Sequence, residues 1–279
     1  MNNNIFSCLW FDGNAKEAAN FYCSLFGNSK VITDTPMVVQ FEIEGKKLMG
    51  LNGGPMFKIN PSISLFVTCA TEEETTNLYN KLIEGGKAMM PLDKYPWSEQ
   101  YGWVVDKFGM TWQVMAGNIP EGAQKIVTSF LFVGEQYGRA QEAIKLYTSL
   151  FPNSVIHHLE TYKAGEPQPE GNLKFGHFEL NKEMFAAMDG TGNHDFSFNE
   201  GVSIMVECKT QEQIDHYWNK LTDGGQESRC GWLKDKFGVS WQIVPTILGK
   251  LMSDPSRSQR VMKAFMEMKK FDIEKLEQA

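Results

Sequence analysis

Hydrophobic and polar positions follow a fixed order of periods along the first part of the chain. The short apolar run IFSCLWF predicts a strand, and AKEAANFYCSLFG then carries apolar residues at three- and four-residue spacings up to Gly27. That spacing, ended by a glycine, is typical of an amphipathic helix. Three segments with alternating polarity and turn residues follow, VVQFEIEGKK, KLMGLNGGP and SISLFVTCA, and they predict three strands.

A second helix and a hairpin complete the pattern. TEEETTNLYNKLIEGG begins with Thr71 and Glu74 at the spacing of a capping box and ends in two glycines, so it predicts a helix. YGWVVD and MTWQVM, joined by the turn DKFG, predict two paired strands. Before this hairpin lies PLDKYPWSEQYGW, which is rich in proline and aromatic residues, and we expect it to form a loop that gates a ligand.

The chain then repeats itself. FYCSLFGNS and LYTSLFPNS agree at six of nine positions, and GWVVDKFGMTWQV and GWLKDKFGVSWQI agree at eight of thirteen. VQFEIEGKKLMGLNGG also matches GHFELNKEMFAAMDGT, and the two predicted second helices match each other. A repeat of this length indicates two copies of one structural unit. We therefore predict a first module over 1–119 and a second over 125–246. The shorter QESRCGW, in the place of the first module's aromatic segment, predicts that the two modules are not equivalent.

A tail over 247–279 remains. Asp254 and Pro255 have the residue types of a helix N-cap and first helical position, with apolar residues following on one face. Asp272 can cap a final short helix. We expect this helical tail to pack on the modules or on a second subunit.

Composition and charge indicate which classes of partner this protein is not expected to bind. The 27 basic and 34 acidic residues give a formal net charge of −7, and no lysine or arginine block stands out. Such a chain lacks the basic surface that binds nucleic acid or an anionic membrane, so we expect neither partner. The start of the chain has no secretory leader pattern, and the five scattered cysteines do not form a metal or disulfide motif. These features predict a cytoplasmic protein.

Several segments resemble one known family. DGNAKEAANFY, LNGGP, DKFG-x-x-WQ and the tail MKAFMEMKKFDIEKLEQA are similar to the PhnB-like family, often labelled 3-demethylubiquinone-9 3-methyltransferase-like. That family belongs to the vicinal oxygen chelate superfamily of glyoxalases, extradiol dioxygenases and bleomycin-resistance proteins. The resemblance implies an α+β fold of two tandem glyoxalase-like modules with paired β-α-β-β-β units. Their mixed sheets would curl to form cups, and a helical tail would follow.

The resemblance also implies where a site lies. The superfamily holds a divalent metal in the cup through histidine and glutamate, one on the first strand and one on the last. Here Ser7 and Ser129 take the first-strand place, and Gln113 and Gln242 take the last-strand place. A hydroxyl and a neutral amide are poor ligands for zinc, nickel or iron. We therefore predict no metal and no cofactor, and a ligand-binding site formed by these four residues with Trp103 and Trp232 near the rim.

A metal site elsewhere stays open as an alternative. His177 and Glu179 lie two apart on a predicted strand and could offer an imidazole and a carboxylate to one ion. The matching Gln40 and Glu42 favour an ordinary polar strand face instead. His157 and His158 would point to opposite faces of a strand.

Three functions remain at this point. The first is a binding protein for a small, partly aromatic molecule, without the usual metal. The second is a metal-dependent lyase, isomerase or dioxygenase. The third is the methyltransferase of the family label, which lacks support from a G-x-G-x-x-G loop. The repeat and the apolar tail are compatible with a monomer or a homodimer.

Overall fold

The computed structural model describes residues 4–279, so the first three residues of the predicted module 1–119 lie outside the described part. The elements of this module are β1 (Ile5–Phe11), α1 (Ala15–Leu25), β2 (Ser29–Asp34), β3 (Val38–Ile43), β4 (Lys46–Asn52), β5 (Ile63–Cys69), α2 (Glu72–Ile83), β6 (Lys87–Tyr95), β7 (Ser98–Val105) and β8 (Thr111–Ala116). The predicted capping box of α2 is confirmed, because the Thr71 side chain accepts from the Glu74 amide at 3.1 Å.

The second module and the tail repeat and extend this order. They contain β9 (Ile126–Phe132), a 3-10 helix (Gly134–Gln136), α3 (Ala140–Leu150), β10 (Val155–Thr161), β11 (Leu173–Leu180), β12 (Glu183–Asp189), β13 (Val202–Cys208), α4 (Gln211–Leu221), β14 (Gln226–Glu227), β15 (Trp232–Lys234), β16 (Ser240–Pro245), α5 (Leu248–Ser253), α6 (Ser258–Glu267) and α7 (Ile273–Gln278).

Four strands were not predicted: β2, β6, β10 and the two-residue β14. β2 and β10 lie at the edges of their strand groups and are mostly exposed, so they carry no apolar alternation that a sequence could reveal. The aromatic segment predicted as a loop is instead a hairpin, in which β6 pairs with β7 and Tyr95 lies opposite Ser98. The side chains of β6 do not alternate regularly between polar and apolar, and its pairing with β7 contains three register shifts. The segment is nevertheless a strand, because its backbone groups are hydrogen-bonded to β7.

The chain divides into two compact units that cut across the repeat. The larger unit contains residues 7–202, and the smaller contains Ser203–Ala279 together with the beginning of β1. The module boundaries at 119, 125, 246 and 247 therefore stay predictions.

An eight-stranded mixed sheet lies wholly within the larger unit. Its order is β10-β11-β12-β9-β5-β8-β7-β6, and only the pairs β12–β9 and β5–β8 are parallel. The sheet is open, with β10 and β6 at its edges. Helices α2 and α3 pack on one face, where Trp112 and Phe130 are buried. The larger unit also holds a second strand group, β2-β3-β4-β1, against which α1 packs.

The smaller unit contains the strand group β14-β15-β16-β13, with α4 on β16. The tail packs on this unit, since the amides of Cys230 and Gly231 donate to the carbonyls of Met268 and Lys269 at 2.8 Å each. Phe271 covers Gly231 so closely that a Cβ there would lie 2.5 Å from the ring. The predicted Asp272 cap is confirmed by its bond with the Lys275 amide at 3.1 Å.

The start of the tail differs from its prediction. Asp254 is not the N-cap of α6, a position that Arg257 takes, but the residue that follows α5; its carboxylate accepts from the amide and hydroxyl of Ser256 and closes a turn before α6 begins at Ser258. A short helix, α5, precedes that turn. The competing local bond to Ser256 explains the difference, because aspartate stabilises turns as readily as helix N-termini.

The DKFG turn has the same structural role in both modules. Asp106 accepts from the amides of Phe108 and Met110 and from the Trp112 indole, at 2.8, 3.0 and 2.8 Å. Asp235 makes the same three bonds to Phe237, Val239 and Trp241, at 2.9, 3.1 and 2.9 Å. Each buried carboxylate therefore fixes the turn to the final strand of its module and holds that strand in register.

No helix among residues 4–279 has the length and apolar character needed to cross a membrane.

Candidate functional site

The candidate site lies on the face of the eight-stranded sheet that α2 and α3 leave free. Strand register places Gln113 of β8 directly between Trp103 of β7 and Phe66 of β5. Ser64 of β5 lies opposite Ser129 of β9, which in turn lies beside Ala186 of β12. Residues opposite each other across neighbouring strands share one face of a sheet. The sequence-predicted residues Gln113, Ser129 and Trp103 are therefore together.

A chain of hydrogen bonds links three buried polar side chains on this face. The Tyr101 hydroxyl donates to Gln113 Oε1 at 2.6 Å, and Gln113 Nε2 donates to Ser64 Oγ at 2.7 Å. Burial, followed by the neighbouring Tyr95, raises the pKa of the Tyr101 hydroxyl, so this group stays protonated and acts as a donor. With its oxygen occupied as an acceptor, the Ser64 hydroxyl is free to direct its own proton elsewhere.

Two further polar groups on the face have no partner among residues 4–279. The Ser129 hydroxyl is buried without a hydrogen bond, and the same holds for the indole nitrogen of Trp103. A buried donor without a partner costs about 1–3 kcal/mol relative to a satisfied one. These two groups therefore favour the arrival of a molecule that can hydrogen-bond to them.

Aromatic and sulfur-containing side chains surround the polar groups. We call this surface the aromatic face; its buried centre is Phe66, Tyr101, Val127 and Ala186, and its half-buried surround is Met90, Tyr95, Trp103, Met115, Phe175 and Met184. The Phe66 ring lies 5.7 Å from that of Phe175. At the β6–β7 turn, Trp97 stacks on Tyr95 at 5.1 Å and remains 59% exposed. The rings on and beside the aromatic face therefore range from buried, as Phe66, to exposed, as Trp97.

The second module repeats part of this arrangement within the smaller unit. Gln242 Nε2 donates to Ser203 Oγ at 2.8 Å, and Trp232 lies opposite Gln242 across β15 and β16. The repeat places Cys230 where the first module has Tyr101, so the phenol that bonds to Gln113 has no counterpart at this position. The two predicted glutamine–tryptophan pairs are therefore each brought together, but with different neighbours.

Ser7 does not join the aromatic face. Its hydroxyl lies 2.7 Å from that of Thr128, a buried residue next to Ser129 whose side chain points to the opposite face of β9. Strands β1 and β9 have equal length, so Ser7 corresponds to Thr128 and Cys8 corresponds to Ser129. Ser7 and Ser129 are not equivalent, and the cause is the one-residue step that reverses side-chain direction in a strand.

Sequence reasoning missed Ser64, Tyr101 and Phe175. A signal existed for Ser64, since both copies keep a serine at the second position of an apolar strand, in ISLFVTC and VSIMVEC. Tyr101 and Phe175 carry no such signal, because aromatic residues on a strand are also ordinary core residues.

The donor set does not fit the divalent metal of the superfamily. Around Gln113 the strand positions carry Ser64, Ser129 and Ala186, and both polar atoms of the Gln113 amide are already hydrogen-bonded. Neutral hydroxyls and an occupied amide are poor metal ligands. Within residues 4–279, no group of three or more His, Cys, Asp or Glu side chains is arranged to hold an ion.

His177 and Glu179, the alternative candidate pair for a metal ion, contact other residues instead. Glu179 Oε2 lies 3.1 Å from His157 Nε2, at a bulge in β10 that the sequence did not predict. Burial, together with His158 and His157, lowers the pKa of His177, whose ring packs at 4.7 Å against Phe175. His177 therefore lies beside Phe175 of the aromatic face, in surroundings that favour the neutral form of its ring.

The strand-to-helix junctions do not fit a nucleoside cofactor such as a methyl donor. The first turn of each of these helices already receives a side-chain acceptor from the chain itself: Asn52 for α1, Thr71 for α2, Asp189 for α3 and Thr210 for α4. A dinucleotide- or nucleoside-binding junction instead leaves a glycine-rich turn open to the ligand.

Comparisons with known proteins show which family this chain resembles. The family described as 3-demethylubiquinone-9 3-methyltransferase matches residues 3–115 and 124–244. A Bacillus cereus PhnB protein described by the same activity is 35% identical over 41% of this chain and 100% of its own, with a TM-score of 0.39. Protein PA1353 from Pseudomonas aeruginosa is 27% identical over 39% of this chain and 93% of its own, with a TM-score of 0.35.

One longer structure spans both modules. Glyoxalase I from Zea mays covers 88% of this chain and 94% of its own with a TM-score of 0.57, at 9% identity, which shows a shared fold alone. No curated protein matches the chain. The two family matches together cover most of the sequence, and the chain therefore belongs to the 3-demethylubiquinone-9 3-methyltransferase family, whose PhnB-like members are glyoxalase-like proteins of the vicinal oxygen chelate superfamily.

Proposed function

We propose that the aromatic face of the eight-stranded sheet binds a small, flat, mainly apolar molecule that carries at least one hydrogen-bonding group. The observation that supports this most directly is the pair of unpartnered buried groups, Ser129 Oγ and Trp103 Nε1, within an aromatic and methionine surround. Pockets for small organic molecules combine such an apolar lining with a few fixed polar groups. Methionine side chains are flexible and polarisable, so they adapt to the shape of a ligand.

The hydrogen-bond chain supports a defined orientation for the ligand. Tyr101 fixes the amide of Gln113, and Gln113 in turn fixes the oxygen of Ser64, which leaves one serine proton to point at the ligand. The Trp103 indole can only donate, so it selects an acceptor on the ligand. A phenol, a hydroxyquinone or a similar aromatic alcohol satisfies both requirements.

A binding role is favoured over catalysis by the chemistry of the side chains. Neither a nucleophile with an adjacent base nor a carboxylate lies among the residues named for the aromatic face. Capture of an aromatic compound, as bleomycin-resistance proteins perform it, is one form of this function. The composition of the chain favours a cytoplasmic binding protein.

The family description favours a second candidate, methyl transfer to an aromatic hydroxyl. Its substrate would have the same chemistry as the ligand proposed here, a ring with a hydroxyl group. The strand–helix junctions do not favour a bound methyl donor, because side chains of the protein already cap the first turns of the helices. Titration with S-adenosylmethionine separates the two candidates, and we expect no heat of binding.

Calorimetric titration with 2-naphthol tests the binding proposal, with naphthalene as the analogue that lacks the hydroxyl. Because one good hydrogen bond contributes about 1 kcal/mol, we expect 2-naphthol to bind roughly fivefold more tightly than naphthalene. Ser129→Ala should remove most of this difference between the two compounds. Ser240, a buried serine of the smaller unit that also lacks a partner, supplies the matched control Ser240→Ala, which should leave the difference unchanged. Equal affinities for both compounds in the unmodified protein would contradict the proposal.

A further inference from the structure

Two oppositely charged side chains form a buried ion pair in the larger unit, away from the aromatic face. Lys46 at the start of β4 and Glu183 at the start of β12 are 1% and 3% exposed, and their charged ends are in direct contact. Gln124 Nε2 adds a bond to the second Glu183 oxygen at 3.1 Å, and Gln124 Oε1 accepts from the Met184 amide. The carboxylate of Glu183 is therefore held from two sides.

The repeat makes this pair unusual, because Lys46 and Glu183 are the same position in the two modules. Aligning EGKKLMGLN with NKEMFAAMD places Lys46 on Glu183. Ser7 and Thr128 are likewise equivalent, and their hydroxyls meet at 2.7 Å. At two separate places, therefore, a residue of the first module contacts the equivalent residue of the second. The first half of one module therefore meets the first half of the other around an approximate twofold axis.

An interface of this kind can also form between identical partners. In a true twofold interface each residue near the axis faces its own copy. If the first half of the first module met the same half of a second chain, Lys46 would face Lys46. The corresponding contact between two second modules would bring Glu183 against Glu183. Either arrangement buries two like charges without a counter-ion, which proteins avoid strongly.

We propose that Lys46 and Glu183 make the pairing between the first halves of the modules selective. The first module then pairs with the second module of its own chain and does not pair with the first module of another copy. The stability of the fold does not require a charge pair at this place, because a well-packed apolar pair is often equally stable or more so. Selection between similar partners is what such a pair supplies, since the wrong pairing leaves like charges in contact.

A charge-reversal cycle provides the first test. K46E and E183K each create a like-charged buried contact, and we expect each to lower the thermal unfolding midpoint by roughly 10 °C. The double variant K46E/E183K restores opposite charges and should recover most of that loss. Single variants as stable as the unmodified protein would overturn the proposal.

A cross-linking experiment tests selection itself, separately from stability. The S7C substitution lies beside the axis, so pairing between two first modules would bring the two substituted positions together. Protein refolded from denaturant in a glutathione redox buffer is analysed on a non-reducing gel. We expect S7C to give a disulfide-linked dimer about tenfold more abundant in the apolar K46M/E183M background than with Lys46 and Glu183 present.

The controls isolate the charge pair as the cause. K46M/E183M without S7C measures how much dimer the five natural cysteines form. S7C in the K46E/E183K background should again give little dimer, because Glu at position 46 would face Lys at position 183 and the charges are complementary. Equal dimer yields in the charged and apolar backgrounds, or no dimer in either, would overturn the proposal. The stability cycle stays informative if the apolar variant does not fold.

Discussion

The two modules share one glutamine–serine–tryptophan arrangement but complete it with different residues. In the first module, Gln113 bonds both Ser64 and Tyr101, and a long aromatic hairpin extends from the same strands. In the second, Gln242 bonds Ser203, Cys230 takes the place of tyrosine, and strands β14 and β15 contain only two and three residues. There the tail packs against Gly231 through Phe271.

The two modules share a structural frame, meaning the strands, helices and turns that they have in common, and they differ in the side chains around the glutamine. The buried aspartate of the DKFG turn has the same three partners in both copies, so it belongs to the frame. The residues around the glutamine differ in size, polarity and exposure. Residues that differ between two copies on an otherwise constant frame are those in which a binding preference is expected to lie.

The largest effect is expected from breaking the shared frame. Asp106→Ala and Asp235→Ala each remove three hydrogen bonds to a buried carboxylate and leave their donors unpaired, so each should lower the free energy of unfolding by about 5 kcal/mol. Urea unfolding measures the loss. A large loss for one aspartate and almost none for the other would show that the two turns are not equivalent.

Removing the tail's anchor should affect the second module alone. Phe271 is almost fully buried, and Phe271→Ala should cost about 3 kcal/mol through the cavity that it leaves. Hydrogen exchange should then rise at the Cys230 and Gly231 amides, which bond to the tail, while the β7 amides of the first module stay protected. Equal acceleration in both modules would contradict this assignment.

The two glutamines should differ in both stability and binding. Gln113→Leu breaks two buried hydrogen bonds and Gln242→Leu breaks one, so we expect losses of about 2 and 1 kcal/mol. Only Gln113→Leu should weaken 2-naphthol binding, by roughly tenfold. Equal effects of the two substitutions on binding would mean that the aromatic face does not distinguish the modules.

The smallest expected effect is on the pH dependence of stability, through His177 on β11. Burial and the nearby His158 and His157 lower the pKa of His177, so the folded protein favours the neutral ring. The corresponding stability is complete above the ordinary pKa of about 6.5 and is lost as the pH falls through the lowered value. His177→Asn should therefore reduce the fall in unfolding free energy between pH 7 and pH 5, by under about 1 kcal/mol.

Much of the frame could be predicted from the sequence, because it rests on local patterns. Thr71 and Asp272 were recognised as helix caps from their position and residue type alone. Edge strands such as β2 were missed, since exposure on both faces erases the apolar alternation on which recognition depends.

The residues of the proposed site were predicted less completely, for a different reason. Gln113, Ser129 and Trp103 are neighbours as expected, yet Ser7 proved equivalent to Thr128, because one residue of misalignment turns a strand side chain to the other face. The partners Tyr101 and Ser64 come from other strands, and only the pairing of those strands shows them together.

A crystal structure of the protein soaked with 6-bromo-2-naphthol would show whether the aromatic face binds an aromatic alcohol, because bromine locates the ligand through anomalous scattering. We expect one strong bromine peak on the aromatic face, with the naphthol hydroxyl bonded to Ser129 or Trp103 and the rings against Phe66 and Phe175. A peak beside Trp232 and Gln242 instead, or no peak at saturating ligand, would contradict it.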